Sequence, residues 1–293
     1  MIELFKDEES KIRFYNIYDK TLSQLAITYE TSYVETSYGN THIIHCGKKD
    51  AKKLIMLHSM AFTSIAWFEN LKELSNEFDI YCIDSIGEPG RTISYTNKIK
   101  FNDYMEWLTQ IFDKMGLEQV NLVGWSFGGF LATGYAIMQP KRVKNLVVLS
   151  PASTVSPITL AFYFKLFPAL LSGKDEKIDS FVTWMCGQDK AIFSNVSSVF
   201  YEGLKNFRGW ATGTKLRVFS KKEFKCITAN YYLIIGDKDP IYRKGKHEKI
   251  IKKIKNISSN YKTELINGTH GFPIQKATEV NQKIIEFFDK KNT

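Results

Sequence analysis

Between a short apolar run at 120–123 and a helical pattern at 130–138, the chain reads Gly124-Trp125-Ser126-Phe127-Gly128-Gly129. A buried strand that passes into a helix through Gly-x-Ser-x-Gly leaves few folds open. The turn is tight enough that its neighbours must be small, and Gly124 and Gly128 meet that need. Gly129 lets the new helix approach the sheet. The helix N-terminus aims backbone N–H groups at whatever reacts with Ser126, which suits a developing negative charge. Glycine and serine are common, so the bare motif is weak. The strand before it and the helix after it make Ser126 a candidate nucleophile.

The same alternation runs through much of the chain. Segments 54–57, 80–83, 146–149, 231–235 and 263–266 read as strands, and 65–74, 101–115, 247–257 and 279–288 as helices. Segments 33–36 and 41–45 flank Tyr38-Gly39-Asn40, which predicts a hairpin turning there. Strands alternating with helices imply an α/β fold, a mostly parallel sheet flanked by helices. After Leu149 the alternation stops, and 160–170, 178–185 and 193–207 carry helical patterns. The expected division is an N-terminal helical extension at 1–31, an α/β core at 32–151 and 225–293, and a helical insert at 152–224 with the size and place of a lid.

Composition narrows the functional classes. The 293 residues are 44% hydrophobic and 24% charged, which fits a soluble globular chain. The net charge of +9 has some clustering at 243–255, but Ile250, Ile251 and Ile254 lie beneath those lysines in helical spacing. A solvated helix face is therefore expected, and no nucleic-acid partner. Cys46, Cys82, Cys186 and Cys226 form no C-x-x-C pair, and the first two fall in or beside apolar strands as buried free thiols. The longest apolar stretch, 158–171, is broken by Lys165 and Pro168 and falls short of the ~18 residues of a membrane span. The N-terminus is acidic and shows no signal-peptide pattern, so a cytoplasmic enzyme is expected. No dinucleotide fingerprint, H-E-x-x-H or cysteine cluster is present, so neither cofactor nor metal is expected.

A serine nucleophile needs a base, and the base an orienting acid. Of the five histidines, His42 and His45 point to opposite faces of one strand, which also argues against a metal pair. His58 closes a strand, and His247 sits among lysines on an expected surface helix. His270 follows the last strand in Asn267-Gly268-Thr269-His270-Gly271. Loops at the C-terminal ends of parallel strands are where such sheets hold ligands, so Ser126 and His270 share an edge. Two carboxylates compete for the acid, Asp237 and Asp239, after the strand at 231–235. No carboxylate follows Ser150.

These segments resemble the α/β-hydrolases with a helical cap, over roughly residue 33 to the C-terminus. The likeness is to bacterial carboxylesterase-like serine hydrolases with an N-terminal helical extension. Leu57-His58-Ser59-Met60, the stretch from Asp84 to Thr92, the Ser126 turn, Gly236-Asp237-Lys238-Asp239 and Gly268-Thr269-His270 carry it. The family's chain order of nucleophile, acid and base implies Ser126, Asp239 and His270, with the acid third after the strand's glycine. Its oxyanion hole implies the backbone N–H groups of Met60 and Phe127. One departure stands out. The family usually has His-Gly where this chain has His58-Ser59. Either the turn accepts serine, or the loop differs and Met60 is not the donor. His58 is expected to brace this loop.

The resemblance implies hydrolysis of a carboxylic ester through an acyl-enzyme, and the insert's apolar run from Phe162 to Leu171, with Phe181, Trp184 and Met185, predicts a small or medium apolar substrate. Thioester or amide hydrolysis, perhydrolysis and acyl transfer would use the same residues. A non-catalytic ligand-binding member of the fold is the alternative from another class.

Overall fold

The structure, a computed structural model, describes residues 2–188, 194–208 and 214–289. The apolar runs become strands slightly longer than their patterns: β1 (Tyr29–Thr36), β2 (Gly39–Gly47), β3 (Lys52–Leu57), β4 (Phe78–Ile83), β6 (Val120–Trp125), β7 (Val143–Leu149), β8 (Asn230–Gly236) and β9 (Tyr261–Ile266). The two-residue β5 (Ile93–Ser94) had no sequence signal. All lie in one sheet in the order β1-β2-β4-β3-β6-β7-β8-β9, with β5 beside β2. The pairs β1–β2 and β2–β4 are antiparallel, and every pair from β4 to β9 along that order is parallel. The insert follows β7, the sixth strand of those expected from the sequence, since β5 was not among them.

Helices cover both faces. On one, α3 (Phe101–Lys114), α4 (Phe127–Met138) and α9 (His247–Lys255) bury Trp107, Phe130 and Ile254 against the sheet. On the other, α1 (Glu8–Leu22), α2 (Phe68–Leu74) and α11 (Ala277–Asp289) bury Phe14, Leu71 and Ile284. The insert contributes α5 (Leu160–Ser172), α6 (Asp175–Cys186), α7 (Ser194–Asn206) and the one-turn α8 (Lys221–Phe224), and a further turn, α10 (Phe272–Gln275), precedes α11. Phe193, expected in the α7 helix, lies outside the described residues, as do residues 1 and 290–293 of the expected terminal segments. Among the described residues no helix is long and apolar enough to cross a membrane.

The hairpin turns two residues earlier than Tyr38-Gly39-Asn40 suggests. Thr36 pairs with Gly39, so Ser37 and Tyr38 are the turn, and Thr36 Oγ1 accepts from the N–H groups of Tyr38 and Gly39. Gly39 answers a different need: a Cβ there would overlap the Ile93 carbonyl oxygen of β5. The helical extension is likewise more than an appendage. Its Tyr18 is fully buried and donates to Asp84 Oδ2 at 3.0 Å. Ser10 and Arg13 bond Asn206 and Glu202 of α7, so α1 joins core to insert.

Candidate active site

Ser126 sits between β6 and α4 at φ 53° and ψ −109°. This left-handed backbone costs a non-glycine residue about 1–3 kcal/mol and persists only where the surroundings dictate it. They do: Ser126 N donates to the Leu149 carbonyl at 2.9 Å, and its own carbonyl accepts from Phe130 and Ala152 at 3.0 Å each. A Cβ on Gly128 would overlap the Leu57 carbonyl oxygen, so the start of α4 lies directly against the end of β3. The helix N-terminus is aimed into the cavity that Ser126 lines.

His270 and Asp239 arrive from the ends of β9 and β8. His270 Nδ1 lies 2.8 Å from Asp239 Oδ2, and both side chains are buried. The other Asp239 oxygen accepts from Ile241 N at 3.0 Å, so the carboxylate is fully engaged. Asp237 is exposed, and its Oδ1 accepts from Gly268 N at 2.9 Å; it ties the two loops together without reaching His270. His270 and Ser126 line one cavity. Among the described residues no hydrogen bond closes between Ser126 Oγ and His270, and in ligand-free sites such bonds are often long.

Several supports for this pair carried no sequence signal. His247 is buried, contrary to its expected surface position, and its Nε2 lies 3.0 Å from the Asp239 carbonyl oxygen. The lysines of α9 face solvent while His247, Ile250 and Ile254 turn inward. Trp125 Nε1 donates to the His270 carbonyl at 3.2 Å. His270 N donates to the Met185 carbonyl at 3.0 Å, which fastens the His270 loop to the end of α6. Such contacts join residues far apart in the chain.

The loop after β3 carries Met60. His58 is buried; its Nδ1 donates to the Ser59 carbonyl at 2.8 Å and its Nε2 accepts from Ser85 N at 2.9 Å. One neutral tautomer makes both bonds, and burial pulls its pKa down, which favours that form. Ser59 does not occupy a left-handed conformation; Ala61 does, at φ 64°. Serine in place of the usual glycine therefore imposes no strain at position 59. Ala61 N donates to the buried Glu88 Oε2 at 2.8 Å, while burial pushes the Glu88 pKa up to about 8. Among the described residues the N–H groups of Met60 and Phe127 have no hydrogen-bond partner, and Met60 lines the cavity with Ser126.

Behind this loop Asp84 gathers four segments. Its Oδ1 accepts from Ser64 N and Oγ at 2.7 Å each, and its Oδ2 from Tyr18 OH, His42 Nδ1 and Arg91 N. Burial raises the Asp84 pKa, but the bonds from His42 and Arg91 outweigh it and hold the carboxyl well below its ordinary range. His45 faces the other way and binds Asp79.

The cavity has a mostly apolar wall. Phe162, Leu166 and Leu170 of α5, with Phe181, Val182 and Met185 of α6, wall it above Ser126. Its volume, taken as the room open to the centre of a water-sized sphere, is about 70 Å³. Cys46 and Cys82 are buried, Cys186 is half-buried and Cys226 exposed, all as free thiols. Among the described residues no group of three or more His, Cys, Asp or Glu side chains is arranged to hold a metal ion.

Comparison with known proteins gives carboxylesterase relatives over nearly the whole chain. A family model described as alpha/beta hydrolase fold matches residues 52–277. Carboxylesterase YbfK of Bacillus subtilis (strain 168) is 29% identical over 290 residues, 97% of this chain and 96% of that protein. The crystal structure of carboxylesterase CesB (YbfK) from Bacillus subtilis matches with a TM-score of 0.87 at 28% identity, covering 97% and 99% of the two chains. That of naproxen esterase (carboxylesterase NP) from Bacillus subtilis gives 0.85 at 26%, with the same coverage.

Proposed function

We propose that this chain, which belongs to the alpha/beta hydrolase fold family and is a carboxylesterase-like hydrolase, cleaves carboxylic esters with small or medium apolar acyl groups through an acyl-enzyme on Ser126. The observation that carries the reading is the 2.8 Å pairing of His270 Nδ1 with Asp239 Oδ2, with His270 lining the cavity that Ser126 opens into.

With Nδ1–H bound to Asp239, the free His270 nitrogen is Nε2. It takes the Ser126 proton as Oγ attacks the ester carbonyl, and the Asp239 charge stabilises the imidazolium. The carbonyl electron pair moves onto oxygen. The unpaired N–H groups of Met60 and Phe127, the latter at the positive end of α4, receive that oxyanion. Collapse returns the pair, breaks the bond to the alkoxide, and His270 gives the leaving alcohol its proton. Water, deprotonated by His270, repeats the sequence on the acyl-enzyme and frees the acid. The apolar wall of α5 and α6 supports an apolar acyl group, since each buried methylene contributes about 0.8 kcal/mol.

An active-site fluorophosphonate should label Ser126, found by peptide mass spectrometry, and Ser126→Ala should abolish both labelling and p-nitrophenyl ester hydrolysis. Labelling without turnover of any ester would favour the thioester, amide or acyl-transfer readings. No labelling of a folded protein would leave a ligand-binding member of the fold.

A further inference from the structure

Helix α5 carries large apolar side chains on both sides, and among the described residues only one side packs into the fold. Phe162, Leu166 and Leu170 face the cavity. Leu160, Phe164, Phe167 and Leu171 face outward, with 74%, 76%, 52% and 85% of their surface exposed. The spacing i, i+4, i+7, i+11 sets these four in one row, about 16 Å long at 1.5 Å per residue. Tyr163 stacks against Phe167 at its edge. A contiguous apolar patch on a soluble surface marks a place where something docks.

The row runs into a groove of opposite character. Residues 170–173 at the end of α5 form one wall, and Lys6, Arg13, Lys205 and Arg208 line the rest with Glu202. Glu202 pairs with Arg13 and Asp175 with Lys205, so positive charge is in excess. Lys165 and Lys174, both exposed, add to it beside the row. Leu171 belongs to row and groove alike. Leu170 lines both the groove and the cavity that holds Ser126.

We infer that this face seats on an anionic lipid surface, the row entering the acyl layer while the groove takes the phosphate-bearing headgroups. An amphipathic helix with an apolar row and basic flanks binds such interfaces by both terms together. A second copy of this chain fits less well. Row against row would bring two such basic grooves together on chains that each carry +9. Leu170, which lines groove and cavity alike, would then lie between the docked headgroups and the cavity. That esters are drawn from the lipid rests on the hydrolase reading above; the docking does not.

The test is flotation of the full chain with vesicles of phosphatidylcholine alone and of phosphatidylcholine mixed with phosphatidylglycerol. The wild type should float with the mixed vesicles and stay behind with the neutral ones. Leu160→Gln/Phe164→Gln/Leu171→Gln should weaken binding by about a hundredfold or more, and Lys6→Gln/Arg208→Gln by about tenfold. Both variants should unfold at the wild-type temperature, since the substituted side chains are at the surface. No flotation with mixed vesicles, equal flotation with neutral ones, or flotation unchanged in the triple variant overturns the proposal. So does a wild-type dimer in sedimentation velocity that the triple variant abolishes. Flotation is read without turnover, so failure of the hydrolase reading registers separately, as absent labelling of Ser126.

Discussion

At the scale of single residues the site divides into groups that react and groups that hold them. If Ser126 is the nucleophile, as proposed, Ser126→Ala should lower turnover of a p-nitrophenyl ester by at least about a thousandfold. The two carboxylates after β8 should behave differently. Asp239→Asn loses the charge beside His270 Nδ1 and should approach the loss at Ser126. Asp237→Asn keeps an oxygen for Gly268 N and should retain most activity; the reverse ranking in steady-state kinetics would move the acid to Asp237. His247 bonds the Asp239 carbonyl and is not among the residues that line the cavity. His247→Ala should lower kcat with little change in KM, as expected of a positioning residue.

At the scale of elements, α5 is two surfaces on one helix. On the proposed function, its inner face would limit how far an acyl chain extends above Ser126. Catalytic efficiency should climb from acetyl to medium-chain p-nitrophenyl esters in the wild type, roughly 0.8 kcal/mol per buried methylene. Leu166→Ala should shift the optimum to longer chains, because it deepens the cavity without touching the reacting groups. A preference for acetyl or charged esters in a chain-length series would mean that this wall is insert core alone. The strand-to-helix turn at Ser126 is equally specific. Gly128→Ala drives a methyl group into the Leu57 carbonyl, and its expected outcome is loss of soluble protein or of activity, seen by expression and assay together.

At the scale of the molecule, two buried carboxyls set opposite pH dependences of stability. Asp84 is held below its ordinary pKa of 3.8. The stability it contributes is complete above that value and is lost as pH falls further, when the folded state must take up a proton. Glu88 is held above its ordinary 4.5, at about 8. Between those values the unfolded chain is ionised there and the folded chain is not, so raising the pH through this window costs stability. Glu88→Gln should remove that slope. Urea midpoints for the two proteins should diverge in favour of the variant as pH rises from 4.5 to 8, and parallel curves would refute the assignment. Tyr18→Phe strips one donor from Asp84 and should cost about 1–3 kcal/mol, measured by the same unfolding.

What the sequence determined by itself is what local pattern can encode. Continuous apolar runs between helical patterns dictate a parallel sheet, because strands buried on both faces and amphipathic helices have few other ways to pack. The Ser126 turn is legible because Gly124, Gly128 and Gly129 surround a serine between a strand and a helix. That Ser126, a carboxylate at 237 or 239, and His270 share one edge of the sheet is legible because each follows a strand of its own; the family resemblance, not the pattern, pointed to Asp239. Tertiary structure alone decided what depends on distant residues meeting. His247 looked solvent-exposed among its lysines until α9 turned it onto the Asp239 carbonyl. Gly39 looked like a turn residue until β5 came to lie against it. Asp84 binds side chains from α1, β2 and the turn before α2, none of them near it in sequence. Helix α5 reads as apolar nearly all round, and only its seat on the insert separates the side that walls the cavity from the row left facing water.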